Sequence, residues 1–214
     1  DIVHIPFIRK IAKTKKNIIL STGHSTFEDI DRAIENVNYG NKLAILHCTA
    51  AYPCPIESMN LNCIEKFLKR YPNQIIGISD HENGIDAALV SYMKGARVFE
   101  KHFTLDRAQK GTDNAFSLEP EGLRKMVRNL KRIPKMLGLD HKAPQAVEKG
   151  PISKMRKSII YKSNFQKGEI IDESFFEYRC PSTGMPPFMV DDLLGKVLKK
   201  EVYKYDFASI DDFQ

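Results

Sequence analysis

Four short apolar stretches in this 214-residue chain each run into a polar cluster, and they recur at similar points of a repeating pattern. They are NIILSTGHST (residues 17–26), LAILHCTAAYP (43–53), IIGISDHENG (75–84) and ARVFEKHFTLD (96–106). Runs this short and this rich in Ile, Val and Leu suit strands buried on both faces. Helix-like stretches lie between them, so strands and helices alternate and the strands should run parallel. Polar residues at the C-terminal ends of parallel strands converge on one rim, where α/β barrels and open α/β sheets place their chemistry. His81 and His102 stand in two of these clusters. The pattern reads as part of an enzyme.

The length allows one large domain or two small ones. No apolar run approaches the ~20 residues of a membrane span. The opening DIVHIPFIRK lacks the apolar stretch that follows a basic start in a signal peptide. It also begins on Asp, inside what reads as a strand-to-helix turn, so we expect the start of the protein to lie upstream. The formal charge is +6, spread over scattered lysines with no arginine-rich tract interleaved with aromatics. Nucleic acid is therefore not an expected partner, whereas small anionic substrates suit such a protein. The cysteines, Cys48, Cys54, Cys63 and Cys180, form no C-x-x-C pair. A zinc knuckle or redox motif is not expected, and a reduced cytoplasmic setting without a membrane partner fits best.

Residues 1–140 read as βα repeats. Pro6 suits a first helical position, with Phe7, Ile8 and Ile11 forming an apolar face. Ser25 or Thr26 can cap a helix carrying Ile30, Ala33, Ile34 and Val37, closed by Gly40. Leu61, Ile64, Phe67 and Leu68 have helical spacing before Pro72, and a further helix over 85–94 should close at Gly95. A basic amphipathic helix is predicted over 121–137, with Pro134 kinking or ending it. The stretch 141–152 has the composition of a linker, and residues 153–214 read as a small, mostly β module. Periodicity alone allows either an open sheet or half of an eight-stranded barrel.

The motifs carry more. LSTGHST resembles L-S-T-G-M-x-T, LHCTAAYPCP resembles L-H-C-T-x-x-Y-P-x-P, and ISDHENGI resembles G-x-S-D-H-x-x-G. FEKHFTLDRAQKGTDNAFSLEP resembles E-K-H-F-T-L-D-x-x-x-x-G-x-D-x-x-x-S-L-E-P, and QKGEII, CPSTG and DDLLGKV follow it. In this order and spacing the chain resembles the sialic acid synthase family, which makes N-acetylneuraminate and related nonulosonic acids. The resemblance implies an α/β fold: a partial TIM (β/α)8 barrel, about its last four βα units, over residues 1–140. A linker over 141–152 and an antifreeze-like (SAF) domain over 153–214 would follow.

The implied reaction joins phosphoenolpyruvate to the open-chain aldehyde of an N-acyl-hexosamine of the N-acetylmannosamine type and releases phosphate. Related legionaminic and pseudaminic acid synthases, or a non-catalytic sugar-binding paralogue, are the alternatives. By the resemblance, His81 and His102 match ligands of a divalent metal, Mn²⁺ before Mg²⁺ or Co²⁺; a strand-end histidine by itself is more often just a polar rim residue. Ser21, Thr49 and Ser79 match the phosphate side, although strand-end hydroxyls are commonly helix caps. Tyr52 and Asp113 match the sugar side, and Asp1 falls near an active-site acid position. Lys101, beside His102, could help hold an anion, but adjacent strand residues face opposite ways.

Two positions depart from the family pattern. Ala50 replaces an Asn or Ser on the phosphate side. Cys180 stands where the SAF domain commonly carries an arginine that reaches the partner subunit's sugar site, with Arg179 as a possible substitute. The resemblance further implies a homodimer that exchanges SAF domains, so that each chain completes the other's site.

Overall fold

Each of the four apolar runs becomes a strand. In the computed structural model, which describes residues 1–37 and 40–214, these are β1 (Ile18–Ser21), β2 (Leu43–Cys48), β3 (Ile75–Asp80) and β4 (Val98–Lys101). They pair in chain order and all in parallel, with Ile45 opposite Ile76 and Ser79 opposite Glu100. The chain divides into two compact units, residues 1–139 and 140–214.

In the first unit, helices follow where the caps and apolar spacing call for them. They are α1 (Ile5–Ala12), α2 (Phe27–Glu35), α3 (Cys63–Arg70), α4 (Asp86–Met93) and α5 (Pro120–Leu137). Thr26 and Asp29 cap α2 reciprocally: each side chain accepts the other's backbone N–H. Gly95, at φ +104°, ends α4, and a Cβ there would lie 2.4 Å from Leu68 Cδ1. Pro134 does not end α5, one of the two outcomes expected from sequence; the helix runs on to Leu137. It sits in the last turn, where the bond it forfeits is one of the last the helix would make.

Strand alternation gives the sheet two chemically different faces. Outward go Ile18, Leu20, Leu43, Ile45 and Ile76, packed against Ile8, Ile30, Ala33, Ile64 and Phe67 of α1, α2 and α3. Inward go Ile19, Ser21, Leu46, Cys48, Gly77, Ser79 and Glu100. Gly77 permits a close approach there: a Cβ would lie 2.3 Å from the Val98 carbonyl oxygen and 2.6 Å from Leu46 Cδ2. Among the described residues, no helix is long and apolar enough to cross a membrane.

The second unit is built on β5 (Ser158–Tyr161) and β6 (Phe176–Arg179), an antiparallel pair extended by single bridges such as Phe165–Val202 and Leu198–Phe213. Ile159, Tyr161, Ile171, Phe175, Leu193 and Leu198 form its core. The buried Asp212 carboxylate accepts from the Tyr161 hydroxyl at 2.9 Å and pairs with Lys200 at 2.7 Å. The stretch 141–152, expected to be a connection, belongs to this unit and begins a helix, α6 (Lys149–Met155). The turn before α6 is held by Gln145 and Glu148, whose side chains cap each other's backbone N–H. That device is easily missed within a polar stretch.

Candidate active site

Where β3 and β4 end, the alternation delivers two histidines to the inner face. Ser79 and Glu100 are opposite one another in the last rungs of the ladder, and the Ser79 hydroxyl donates to Glu100 Oε1 at 2.6 Å. Two residues further along each chain stand His81 and His102, with ring centroids 5.1 Å apart. The main chain fixes both: Cys54 N–H donates to the His81 carbonyl at 2.8 Å, and Leu118 N–H to the His102 carbonyl at 2.9 Å.

Each ring is also braced from one side. His81 Nδ1 lies 3.2 Å from the Thr49 carbonyl oxygen, and His102 Nδ1 lies 3.6 Å from Asp113 Oδ2. No hydrogen bond engages either Nε2 among the described residues. Burial pulls the His81 pKa below its ordinary value, against the smaller opposing pull of the Thr49 carbonyl, so its neutral, metal-binding form is favoured. Two imidazoles this close, each with Nδ1 facing an oxygen and Nε2 unengaged, are a donor set that suits a divalent first-row metal ion. Among the described residues, no three His, Cys, Asp or Glu side chains form a cluster that could hold a metal.

Tyr52, in the loop after β2, closes one side of the pair. Its ring centroid is 4.3 Å from that of His81 and 5.8 Å from that of His102. Phe116 packs at 5.1 Å from His102. The structure thus gathers Ser79, His81, His102, Tyr52 and Asp113 into one group. Glu100 belongs to it as well and was not singled out from the sequence. It lies two residues before His102 on the same strand face, and that period-of-two relation was the signal available.

Other expected residues are placed differently. The Thr49 hydroxyl is spent on the Ser58 carbonyl at 3.0 Å, so toward the site Thr49 offers its carbonyl oxygen. Ser21 lies on the inner face of β1, two strands away from β3, and with Asp1 it lines a separate cleft of about 330 Å³. Lys101 does not reach toward an anion, because its ammonium is buried on the outer face against Asp80. Arg179, in the second unit, is held by Glu177 at 2.6 Å and stacks over Tyr205 at 4.6 Å. Cys180 donates its thiol to the Met155 carbonyl at 3.1 Å. Ala50 leaves Gly23 as its close neighbour: a Cβ at position 23 would lie 2.9 Å from the Ala50 methyl.

Comparison with known proteins names the family that such a sheet and rim belong to. The model of the NeuB family matches residues 1–142. The chain belongs to the NeuB family. It is 38% identical over 214 residues to the uncharacterized protein MJ1065 of Methanocaldococcus jannaschii, covering 99% of this chain and 63% of that one. It is 36% identical to N,N'-diacetyllegionaminic acid synthase of Campylobacter jejuni, covering 96% and 62%. Its fold matches the crystal structure of N-acetylneuraminic acid (sialic acid) synthetase from Leptospira borgpetersenii in complex with citrate. That match has a TM-score of 0.63 at 35% identity and covers 71% of this chain and 53% of that one. The parallel sheet is accordingly a curled half-barrel. This NeuB-family chain spans about three fifths of the length of the curated relatives it matches.

Proposed function

We propose that this chain is part of a nonulosonic acid synthase of the sialic acid type. It would condense phosphoenolpyruvate with the open-chain aldehyde of an N-acyl-hexosamine, of the N-acetylmannosamine type, with water adding at carbon 2 and phosphate leaving by C–O cleavage. The observation that carries the reading is the His81–His102 pair, with both Nδ1 atoms braced and Tyr52 and Asp113 beside it.

His81 and His102 would hold a divalent ion, Mn²⁺ by preference, since imidazole suits first-row metals. Bound there, the ion supplies Lewis-acid polarisation to an aldehyde oxygen that gains negative charge as carbon 3 of the enol attacks. Asp113, partly exposed beside His102, would accept hydrogen bonds from sugar hydroxyls, and the Tyr52 ring would cover the sugar. Ser79 and Ser21 would meet the phosphate side. Ser79 donates its proton to Glu100, so to donate to a phosphate oxygen it must turn away from that carboxylate. Asp1 would contribute a carboxylate from the β1 edge of the sheet, where it lines a cleft with Ser21.

The second unit serves, in this reading, as the SAF domain. Arg179, Cys180 and the loop 180–187 would cover the sugar site of the partner in a homodimer, a reciprocal two-fold contact. A legionaminic acid synthase is the second reading, and the Campylobacter relative of that name supports it. The deciding assay is phosphate release by the intact protein with phosphoenolpyruvate and a panel of N-acyl-hexosamines. Release dependent on one sugar of the panel supports the reading and names the acceptor; no release with any sugar, metal supplied, rejects it.

A further inference from the structure

We propose that the buried ion pair Asp80–Lys101 is a positioning device that sets the spacing of His81 and His102; this rests on the reading of those histidines as metal ligands. Asp80 is the last residue of β3 and Lys101 the last of β4, and they are partners in the parallel register. Each immediately precedes one of the histidines. The backbone ladder therefore stops one residue short of the two side chains whose separation matters most.

The ion pair takes over at that point, on the opposite face of the sheet. Lys101 Nζ lies 2.9 Å from Asp80 Oδ2, with side-chain exposures of 4% and 1%. The other Asp80 oxygen accepts the Glu82 N–H at 2.8 Å, and the Lys101 ammonium also donates to the Glu82 carbonyl. The residues on both sides of His81 are thus held by one lysine, and that lysine is itself bonded to His102 through a peptide link. Glu82 anchors the far end, since its carboxylate accepts the Ala87 N–H in the first turn of α4 at 2.9 Å.

Stability is a poor explanation for such a pair. Removing two charges from water costs about what their attraction returns, and apolar replacements of similar volume are often neutral or better. What an apolar pair cannot supply is direction. A lysine forked between Asp80 Oδ2 and the Glu82 carbonyl fixes the peptide of His81 relative to that of His102, whereas methyl and methylene groups would let it shift.

The test compares Mn²⁺ binding, read as free Mn²⁺ by electron paramagnetic resonance, with thermal unfolding, both on the full-length protein. The wild type should bind Mn²⁺ and His81→Ala should lose it. The double variant Asp80→Asn/Lys101→Met removes both charges together. It should unfold cooperatively near the wild-type midpoint yet bind Mn²⁺ about 10–100-fold more weakly, as loss of outer support to metal ligands does. A folded double variant with unchanged Mn²⁺ affinity overturns the inference while leaving the metal reading intact. Failure of the wild type to bind Mn²⁺, or indifference to His81→Ala, removes the metal reading and the inference with it. Should the double variant not fold, Asp80→Glu keeps the charge and lengthens the arm. Weakened Mn²⁺ binding then supports the positioning role, and unchanged binding rejects it.

Discussion

At the scale of single residues, the site depends on which atom of each side chain is already committed. Both histidines turn Nδ1 to a fixed acceptor, Thr49 having given its hydroxyl to Ser58 and kept its carbonyl for His81. Arg179 has two calls on its guanidinium, the Glu177 carboxylate and the Tyr205 ring. It stands next to Cys180, where the resemblance implies an arginine. If it has taken over a sugar contact in the partner's site, Arg179→Ala should raise KM for the N-acyl-hexosamine roughly tenfold while leaving KM for phosphoenolpyruvate within about twofold. Steady-state kinetics with each substrate varied in turn decides this. Equal effects on both substrates, or no effect, would show that the guanidinium serves only its own unit.

At the scale of elements, close approach and charge pairing hold the sheet and its helices. Gly77 has no room for a side chain between Val98 and Leu46. Gly77→Ala should therefore destabilise the protein by about 1–3 kcal/mol through overpacking, measured as a lower urea midpoint. Helices α2 and α3 are tied by Asp31, which accepts from Tyr71 at 2.9 Å and from Arg70. The Arg70 guanidinium beside it holds the Asp31 carboxyl below the usual carboxylate range, against a smaller effect of burial. A depressed folded-state pKa adds stability above the unfolded carboxylate value of about 3.9, and that increment disappears as pH falls through the folded value. Asp31→Asn should therefore lower the urea midpoint at pH 7, and its difference from wild type should shrink below about pH 4; a gap independent of pH would refute the linkage. Much of this level was legible beforehand. Ile, Val and Leu runs marked the strands, Thr26 and Gly95 the helix ends, and the motif order the two histidines. Less legible was anything that depends on what a residue meets across neighbouring strands. The facing of Glu100 and Lys101 follows from strand alternation about His102, but their partners, Ser79 and Asp80, are set by register, which single-chain spacing does not contain. Pro134 does not end its helix, because a last turn tolerates it, and the stretch 141–152 carries a reciprocal cap that its polar composition hides.

At the scale of the whole molecule, the inner face of the half-barrel leaves Ile19 and Ile75 about half exposed or more, at 61% and 49%. The assembly we propose gives each sugar site a loop from a second chain. The intact protein should then run as a dimer in sedimentation equilibrium at micromolar concentration, and a monomer under those conditions would reject the exchange. A different consequence follows from the two backbone bonds that hold the histidine carbonyls. Cys54 N–H, in the loop after β2, and Leu118 N–H, just before α5, each grip one histidine. Grafting either loop from a relative with another acceptor would therefore import a new specificity only if the transplant kept an amide at the same point. The segments most attractive for swapping are, in this architecture, also the hinges on which the chemistry hangs.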